Sequence, residues 1–208
     1  MIKIVIDPGH GGSDSGANHN GILEKNLNLD VALKLRTLLE CNNIEVTLTR
    51  EDDSDLSLRK RCDISNSLMP DLFISIHHNA GGGNGYEIYH YTGSNLGSNI
   101  AQCIDQEFIK LNNRRYVGSG LYAGNKKGDY YVLKKTKSVA VLTEFCFIDN
   151  KEDMLKYDAN KQANAIYLGT CKYIGIKPSD DDDEKLKKVV NRLENLKYDI
   201  ESILNMIR

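Results

Sequence analysis

Leu72-Phe73-Ile74-Ser75-Ile76-His77 is the stretch on which the fold turns. It is apolar at odd and even positions alike, whereas a strand with one wet face alternates. Such a run fits a strand inside a parallel sheet that helices cover on both sides. Upstream, Ile2 to Ile6 is a second β-branched run, cut by Asp7-Pro8-Gly9-His10, and reads as a buried strand followed by a loop. Between the two, Leu27, Val31, Leu35, Leu38 and Leu39 share one face of an amphipathic helix that begins near Glu24. Ile44 to Arg50 reads as a strand, and Leu58 to Ser67 as a helix that stops before Pro70. Downstream, Tyr86 to Tyr91 reads as a strand, Gly97 to Leu111 as a helix, Val139 to Phe145 as the last strong strand, and residues 151–173 as one or two closing helices. Strand and helix alternate, so the expected fold is α/β: a single twisted, mainly parallel sheet with helices on both faces, plus a C-terminal helix.

The 208 residues, 40% of them hydrophobic, are enough for one well-buried core, which excludes disorder for most of the chain. Lys plus Arg is 27 and Asp plus Glu is 29, with no long basic run, so nucleic acid is not the expected partner. No apolar stretch approaches the roughly 20 residues of a membrane span. The N-terminal apolar run is too short for the h-region of a signal peptide, about 7–15 residues. The expectation is a protein made in the cytoplasm without an export signal. Five scattered cysteines with no Cys-x-x-Cys pair argue against a disulfide framework or a thiolate metal site.

Composition changes at Lys177-Pro178-Ser179 and the acidic run Asp180 to Glu184. The expected organisation is a catalytic domain over 1–176, an acidic linker over 177–183 and an amphipathic helix over 184–208. In that helix Leu186, Val190, Leu193, Leu196, Ile200, Ile203 and Ile207 step by 4, 3, 3, 4, 3 and 4, close to a heptad seam. A lone helix on a polar linker would leave this stripe wet, so homo-oligomerisation as a coiled coil is the leading expectation, with docking on the same domain as the alternative. Residues 180–208 carry eight acidic and six basic side chains, which disfavours a basic membrane anchor.

His10 and His77 both lie just beyond the C-terminal ends of expected parallel strands, the edge where open α/β sheets bind ligands. Glu24 follows a glycine-rich loop that can fold back over that edge. Two imidazoles and one carboxylate with a fourth position open form the donor set of a catalytic zinc site. Glu144, ending a further strand on the same edge, could then move a proton between a water and a leaving amine. Each residue also has a purely structural reading: His10 capping a turn, Glu24 at a helix N-terminus, His77 as a hydrogen-bonded core histidine.

Ile4-Val5-Ile6-Asp7-Pro8-Gly9-His10-Gly11-Gly12, followed by Ser15-Gly16-Ala17 and Glu24, resembles the opening of the zinc-dependent N-acetylmuramoyl-L-alanine amidases of the amidase_3 family. Leu48-Thr49-Arg50, Leu58-x-x-Arg61 with Ser65-Asn66, and Asp71 to His77 with Asn79-Ala80 resemble its central motifs, and Ala140 to Asn150 its closing one. The resemblance runs in order over about residues 2–175. It implies one Zn2+ held by His10, Glu24 and His77, with Glu144 as the catalytic glutamate. The implied reaction is hydrolysis of the amide between N-acetylmuramic acid and L-alanine in bacterial peptidoglycan, by a phage endolysin or an autolysin that reaches the wall after holin-type release or mother-cell lysis. Asn79 belongs to the central motif and is a candidate for substrate binding. Arg114, Arg115 and Lys126 lie where the family has a substrate-facing loop and could meet stem-peptide carboxylates; the alternative is an ordinary solvated loop. A non-catalytic peptidoglycan-binding module and a zinc amidase for another amide bond are the competing functions.

Three positions depart from the family pattern. His78 stands where a small residue is common; on an extended strand only one of His77 and His78 can reach the metal, and the motif favours His77. Cys146 stands where glycine is frequent and reads as a small buried side chain rather than a nucleophile. Ser138-Val139 replaces a proline-bearing turn, which should alter a loop and leave the site alone.

Overall fold

The structure is a computed structural model that describes residues 1–111 and 125–178. Met1–Lys177 forms one compact unit. In chain order it comprises β1 (Lys3–Pro8), β2 (Asn18–His19), β3 (Ile22–Leu23), α1 (Glu24–Cys41), β4 (Glu45–Leu48), α2 (Leu58–Leu68), β5 (Leu72–Asn79), β6 (Glu87–His90), α3 (Asn95–Phe108), a single 3-10 turn, β7 (Asn125–Lys127), α4 (Tyr131–Lys135), β8 (Val139–Phe147), α5 (Lys151–Leu155) and α6 (Ala159–Ile174). Six strands form one sheet in the order β4-β1-β5-β8-β6-β7, with β2 and β3 making a small separate hairpin. Strands β4, β1, β5 and β8 run parallel, β6 runs antiparallel to β8, and β7 is parallel to β6. The α/β class and the mainly parallel sheet agree with the sequence.

The two-sided burial read from Leu72–His77 has a direct counterpart. On one face, Val5, Phe73, Ala140 and Leu142 pack with Cys62 of α2 and Val132 and Leu133 of α4. Alternate residues Ile4, Ile6, Leu72, Ile74 and Ile76, all at most 1% exposed, point to the opposite face, where α1 lies against β1 and β5 and packs with α6. The short elements α4 and β7 and the β2-β3 hairpin were not expected; each is held by tertiary pairing rather than by its own periodicity. The helix of Gly97 to Leu111 begins two residues earlier, capped by Ser94, and finishes as the 3-10 turn. Residues 151–173 resolve into two helices, α5 and α6. Among the described residues, no helix is long and apolar enough to cross a membrane. The expected helix of 184–208 and most of its linker lie outside the described residues.

The C-terminal edge of the sheet is fastened by buried charge. Asp7 is 1% exposed and accepts from Thr49 Oγ1 at 2.6 Å, Arg61 Nη1 at 2.8 Å and Ser75 Oγ at 2.8 Å. Arg61 also donates to the carbonyls of Pro8 at 2.6 Å and His10 at 2.7 Å, while Arg50 donates to those of Pro8 at 3.0 Å and Gly9 at 2.9 Å. Two guanidinium groups thereby collect the carbonyls of the turn that leaves β1, so that these acceptors are satisfied away from water. Arg61→Ala would leave the Asp7 carboxylate buried and uncompensated. Unfolding in urea with chelator present is expected to show a loss of about 3 to 5 kcal/mol; a loss below about 1 kcal/mol would show that the pair does not hold the turn.

Candidate metal centre

Three segments deliver the site. Just past β1 the chain enters a left-handed turn at His10 (φ 59°), which brings the imidazole back over the sheet edge. Glu24 is the first residue of α1; instead of capping its own helix it turns its carboxylate toward the loop, where Oε2 accepts from the Ala17 amide at 2.9 Å. His77 on β5 and Glu144 on β8 are register partners in adjacent parallel strands. Beyond them the register slips, with two steps along β5 from His77 to Asn79 matching three along β8 from Glu144 to Phe147. Irregularities of this kind re-aim side chains at sheet edges.

His10 Nε2 lies 3.2 Å from Glu24 Oε2, and His77 Nδ1 lies 3.0 Å from Glu24 Oε1. The three ligand atoms all fall within 4.8 Å of one another. The imidazole rings of His10 and His77 meet edge to face, with centroids 4.9 Å apart. Glycines make room for this convergence: a Cβ on Gly9 would sit 2.1 Å from the His77 ring, and one on Gly16 would sit 2.5 Å from Glu24 Oε2 and 2.6 Å from the His10 ring. Burial alone would raise the Glu24 pKa, but hydrogen bonds and charge attraction from His10 and His77 outweigh it and hold the carboxyl far below the usual range. Burial likewise opposes protonation of His10, and Glu24 followed by Asp14 overcomes it, so its pKa is raised. Asp14 Oδ2 is 2.8 Å from His10 Nδ1, the carboxylate-to-imidazole contact that fixes a ligand's tautomer and leaves Nε2 for a metal. Two imidazoles and a carboxylate with converging lone pairs fit a divalent cation, and the mixed nitrogen and oxygen set suits zinc.

Glu144 lines the same cavity, about 440 Å³ in volume, and its buried Oε2 has no hydrogen-bond partner. Burial, reinforced by the charges of Glu24 and Glu87, pushes its pKa well above the ordinary carboxylate value. A carboxylate in this setting is ready to hold a proton. The outer wall of the cavity includes Leu58, Tyr130 and Tyr131, all more than two-fifths exposed.

The four residues expected to carry the chemistry are therefore together. The other candidates differ. Asn79 donates to Glu87 Oε2 at 2.6 Å and its own Oδ1 accepts from the Ala80 amide, so its side chain braces a neighbour of Glu144. Arg114 and Arg115 lie outside the described residues, and Lys126 is placed only as backbone in β7. His78 packs beneath the sheet edge: it is 1% exposed, beside Phe145 and Tyr157, and burial lowers its pKa to about 4. Cys146 is buried, with its thiol pushed up to about 12, and is inert as a nucleophile at neutral pH. Sequence reading overlooked Asp14 and Asn28. An aspartate four residues after His10 was the one available signal among them.

Comparison with known proteins gives a consistent picture. The Amidase_3 family, described as N-acetylmuramoyl-L-alanine amidase, matches residues 4–175. The N-acetylmuramoyl-L-alanine amidase CwlM of Bacillus licheniformis is 41% identical over 172 residues, covering 81% of this chain and 66% of the relative. The endolysin of Bacillus phage SPP1 is 39% identical over 168 residues, covering 76% of this chain and 60% of the relative. The chain thus spans about two thirds or less of these relatives' lengths. Among solved structures, the catalytic domain of CwlV, an N-acetylmuramoyl-L-alanine amidase from Bacillus (Paenibacillus) polymyxa var. colistinus, superimposes with a TM-score of 0.75 at 30% identity, covering 85% of this chain and 100% of that one. With the sheet, the converging His10, Glu24 and His77, and the match over residues 4–175 in agreement, the chain belongs to the Amidase_3 family of N-acetylmuramoyl-L-alanine amidases.

Proposed function

We propose that this chain is a peptidoglycan hydrolase that cuts the amide between the lactyl group of N-acetylmuramic acid and the L-alanine of the stem peptide, acting lytically in the manner of an endolysin. The observation that carries the proposal is the unpartnered Oε2 of Glu144 in the cavity lined by His10 and His77, whose ring nitrogens converge with Glu24. The similarity to the SPP1 endolysin supports the lytic role. His10, Glu24 and His77 would hold one zinc ion, which when bound lowers the pKa of water to about 7 and polarises a carbonyl.

The chain's own residues supply the rest. Asp14 keeps the His10 proton on Nδ1, so the ring presents its lone pair at Nε2. Glu144 takes a proton from the attacking water at Oε2 and returns it to the amide nitrogen as the carbon–nitrogen bond breaks. The oxygen of the water ends in a lactyl carboxylate, and the nitrogen leaves as the α-amino group of L-alanine. The raised proton affinity of Glu144 favours the second half of this cycle, because a carboxyl that retains its proton has it to give to the nitrogen that leaves as a basic amine.

The C-terminal segment 184–208 is proposed to assemble copies of the chain through its heptad seam. Several catalytic units would then meet one polymeric wall together, which raises avidity without a separate wall-binding domain. Synthesis in the host cytoplasm, followed by release to the wall on lysis, is part of the same proposal.

Incubating Gram-positive peptidoglycan with wild type and Glu144→Ala, with bond identification by mass spectrometry, tests the reaction. Wild type is expected to release stem peptides that begin with a free L-alanine, and Glu144→Ala to lose at least about a thousandfold in rate while keeping its zinc. His10→Ala and His77→Ala are expected to lose the metal itself. Full activity in Glu144→Ala would refute the assignment, and wall binding by all variants without cleavage would favour a binding module. Gly16→Ala is expected to resemble the ligand variants: zinc affinity drops at least about tenfold with an unchanged far-ultraviolet circular dichroism spectrum, since the new Cβ strikes two ligands. Light scattering should find the full chain oligomeric and a chain ending at Lys177 monomeric, whereas two monomers would eliminate the assembly role.

A further inference from the structure

We propose that His78 is a positioning residue for the metal centre: its buried imidazole fixes the amide of Asn28, and that amide fixes the carboxylate of Glu24 in its ligating orientation. The inference rests on the reading of His10, Glu24 and His77 as a zinc site.

His78 Nδ1 lies 2.7 Å from Asn28 Oδ1, and Nε2 lies 3.1 Å from Gln162 Oε1. Asn28 sits one helical turn after Glu24 and is fully buried. Its Nδ2 donates to the Gly9 carbonyl at 3.1 Å and to Glu24 Oε1 at 3.2 Å. Since that nitrogen is already engaged, Asn28 can only accept from His78, and Nδ1 of the neutral ring must carry the proton. Nε2 is then an acceptor, so the Gln162 amide, whose Oε1 lies at this position, serves the ring only when turned over to present its NH2. A continuous donor chain runs from His78 through Asn28 to the metal-ligating carboxylate.

The geometry gives this chain a purpose. The terminal torsion of a glutamate is broad, so its carboxylate plane is set by whatever donates to it. Two donors are backbone amides: Ala17 N–H on Oε2 at 2.9 Å and His78 N–H on Oε1 at 3.1 Å. The side-chain donor, Asn28, could rotate by half a turn and present its oxygen to Glu24, an arrangement that repels the carboxylate. The His78 N–H obstructs that rotation, because it would then face the Asn28 amide nitrogen. His78 thus contributes through both its backbone and its ring to the same oxygen, while its neighbour His77 faces that oxygen from the cavity side at 3.0 Å. Alternation along β5 makes this possible: consecutive histidines address one carboxylate from opposite faces of the strand.

The test is zinc affinity, measured by chelator competition on the full chain, with urea unfolding of the zinc-free protein in parallel. His78→Phe keeps the ring's bulk and removes both nitrogens; it is expected to weaken zinc binding by about tenfold or more, in the range usual for residues that support metal ligands. His78→Asn restores a donor at the position of Nδ1 and is expected to recover affinity to within about threefold of wild type. Asn28→Leu should weaken zinc as His78→Phe does, and the double variant should be no weaker than Asn28→Leu alone, as for two links in one chain. Equal zinc affinity in His78→Phe and wild type, failure of His78→Asn to rescue, or additive effects in the double variant would each overturn the proposal. If His78→Phe does not fold, His78→Leu decides: it also removes both ring nitrogens and should weaken zinc about tenfold, and unchanged affinity overturns the proposal. Wild type that binds no zinc would defeat the metal-site reading as well, whereas zinc binding with indifferent variants would defeat this inference alone.

Discussion

A carboxylate cut off from water, Asp7, and the two arginines around it are the constraint on which the rest depends. An unpaired ion at this depth would be prohibitive, so Asp7 requires Arg61, Thr49 and Ser75 together, and these come from α2, the end of β4 and β5. The requirement ties three parts of the chain to the end of β1. Arg61 and Arg50 then have donors left over, and these reach the carbonyls of residues 8–10. The turn bearing His10 is consequently shaped by groups that never enter the cavity. Arginine rather than lysine suits both positions, because a planar fork can serve several carbonyls at once.

Around the candidate centre the same economy recurs with smaller groups. Glycine at 9 and 16 lets the His77 and His10 rings approach the backbone, and Lys25 and Asp53 pin the intervening loop through the Gly12 carbonyl and amide. Ser13 adds a hydrogen bond to Asp55, next to the residues that wall the cavity. Charge is distributed unevenly as a result. Glu24 is held ionised by its histidines, while Glu144, a short distance away and without a donor on Oε2, has its proton affinity raised by burial and by its acidic neighbours. Two carboxylates on one sheet edge thereby have their proton affinities pushed in opposite directions by their surroundings.

Much of this was legible in the sequence where a pattern is strong and local. The apolar runs at Ile2–Ile6 and Leu72–His77 place two central strands because burial on both faces leaves no other economical arrangement, and His10, Glu24, His77 and Glu144 stand out by lying at strand ends or at a helix start. Polar residues whose role depends on burial were not legible. Asn28 reads as the wet side of an amphipathic helix, and only packing against β5 makes it a fully buried donor. Arg61 reads as a motif residue without a task until the carbonyls of residues 8–10 surround it. Strand β7 and helix α4 are too short to carry a periodic signal and owe their existence to β6 and α2. His78 was ambiguous as one of two adjacent imidazoles, and the strand pleat resolved it.

The spread of His10, Glu24 and His77 along the chain bears on when in folding the candidate site could first hold an ion. His10 and Glu24 belong to one local loop, but His77 is 53 residues beyond Glu24, and β5 reaches its place only after pairing with β1. A domain whose ligands all sit in a short hairpin can be nucleated by its ion, which then acts as a template for the chain. Here the final donor arrives with a central strand of the sheet, and long-range parallel pairing is among the slower events of folding. An ion bound at this site would therefore report completed folding rather than seed it, since a chain without β5 in place offers two of the three donors.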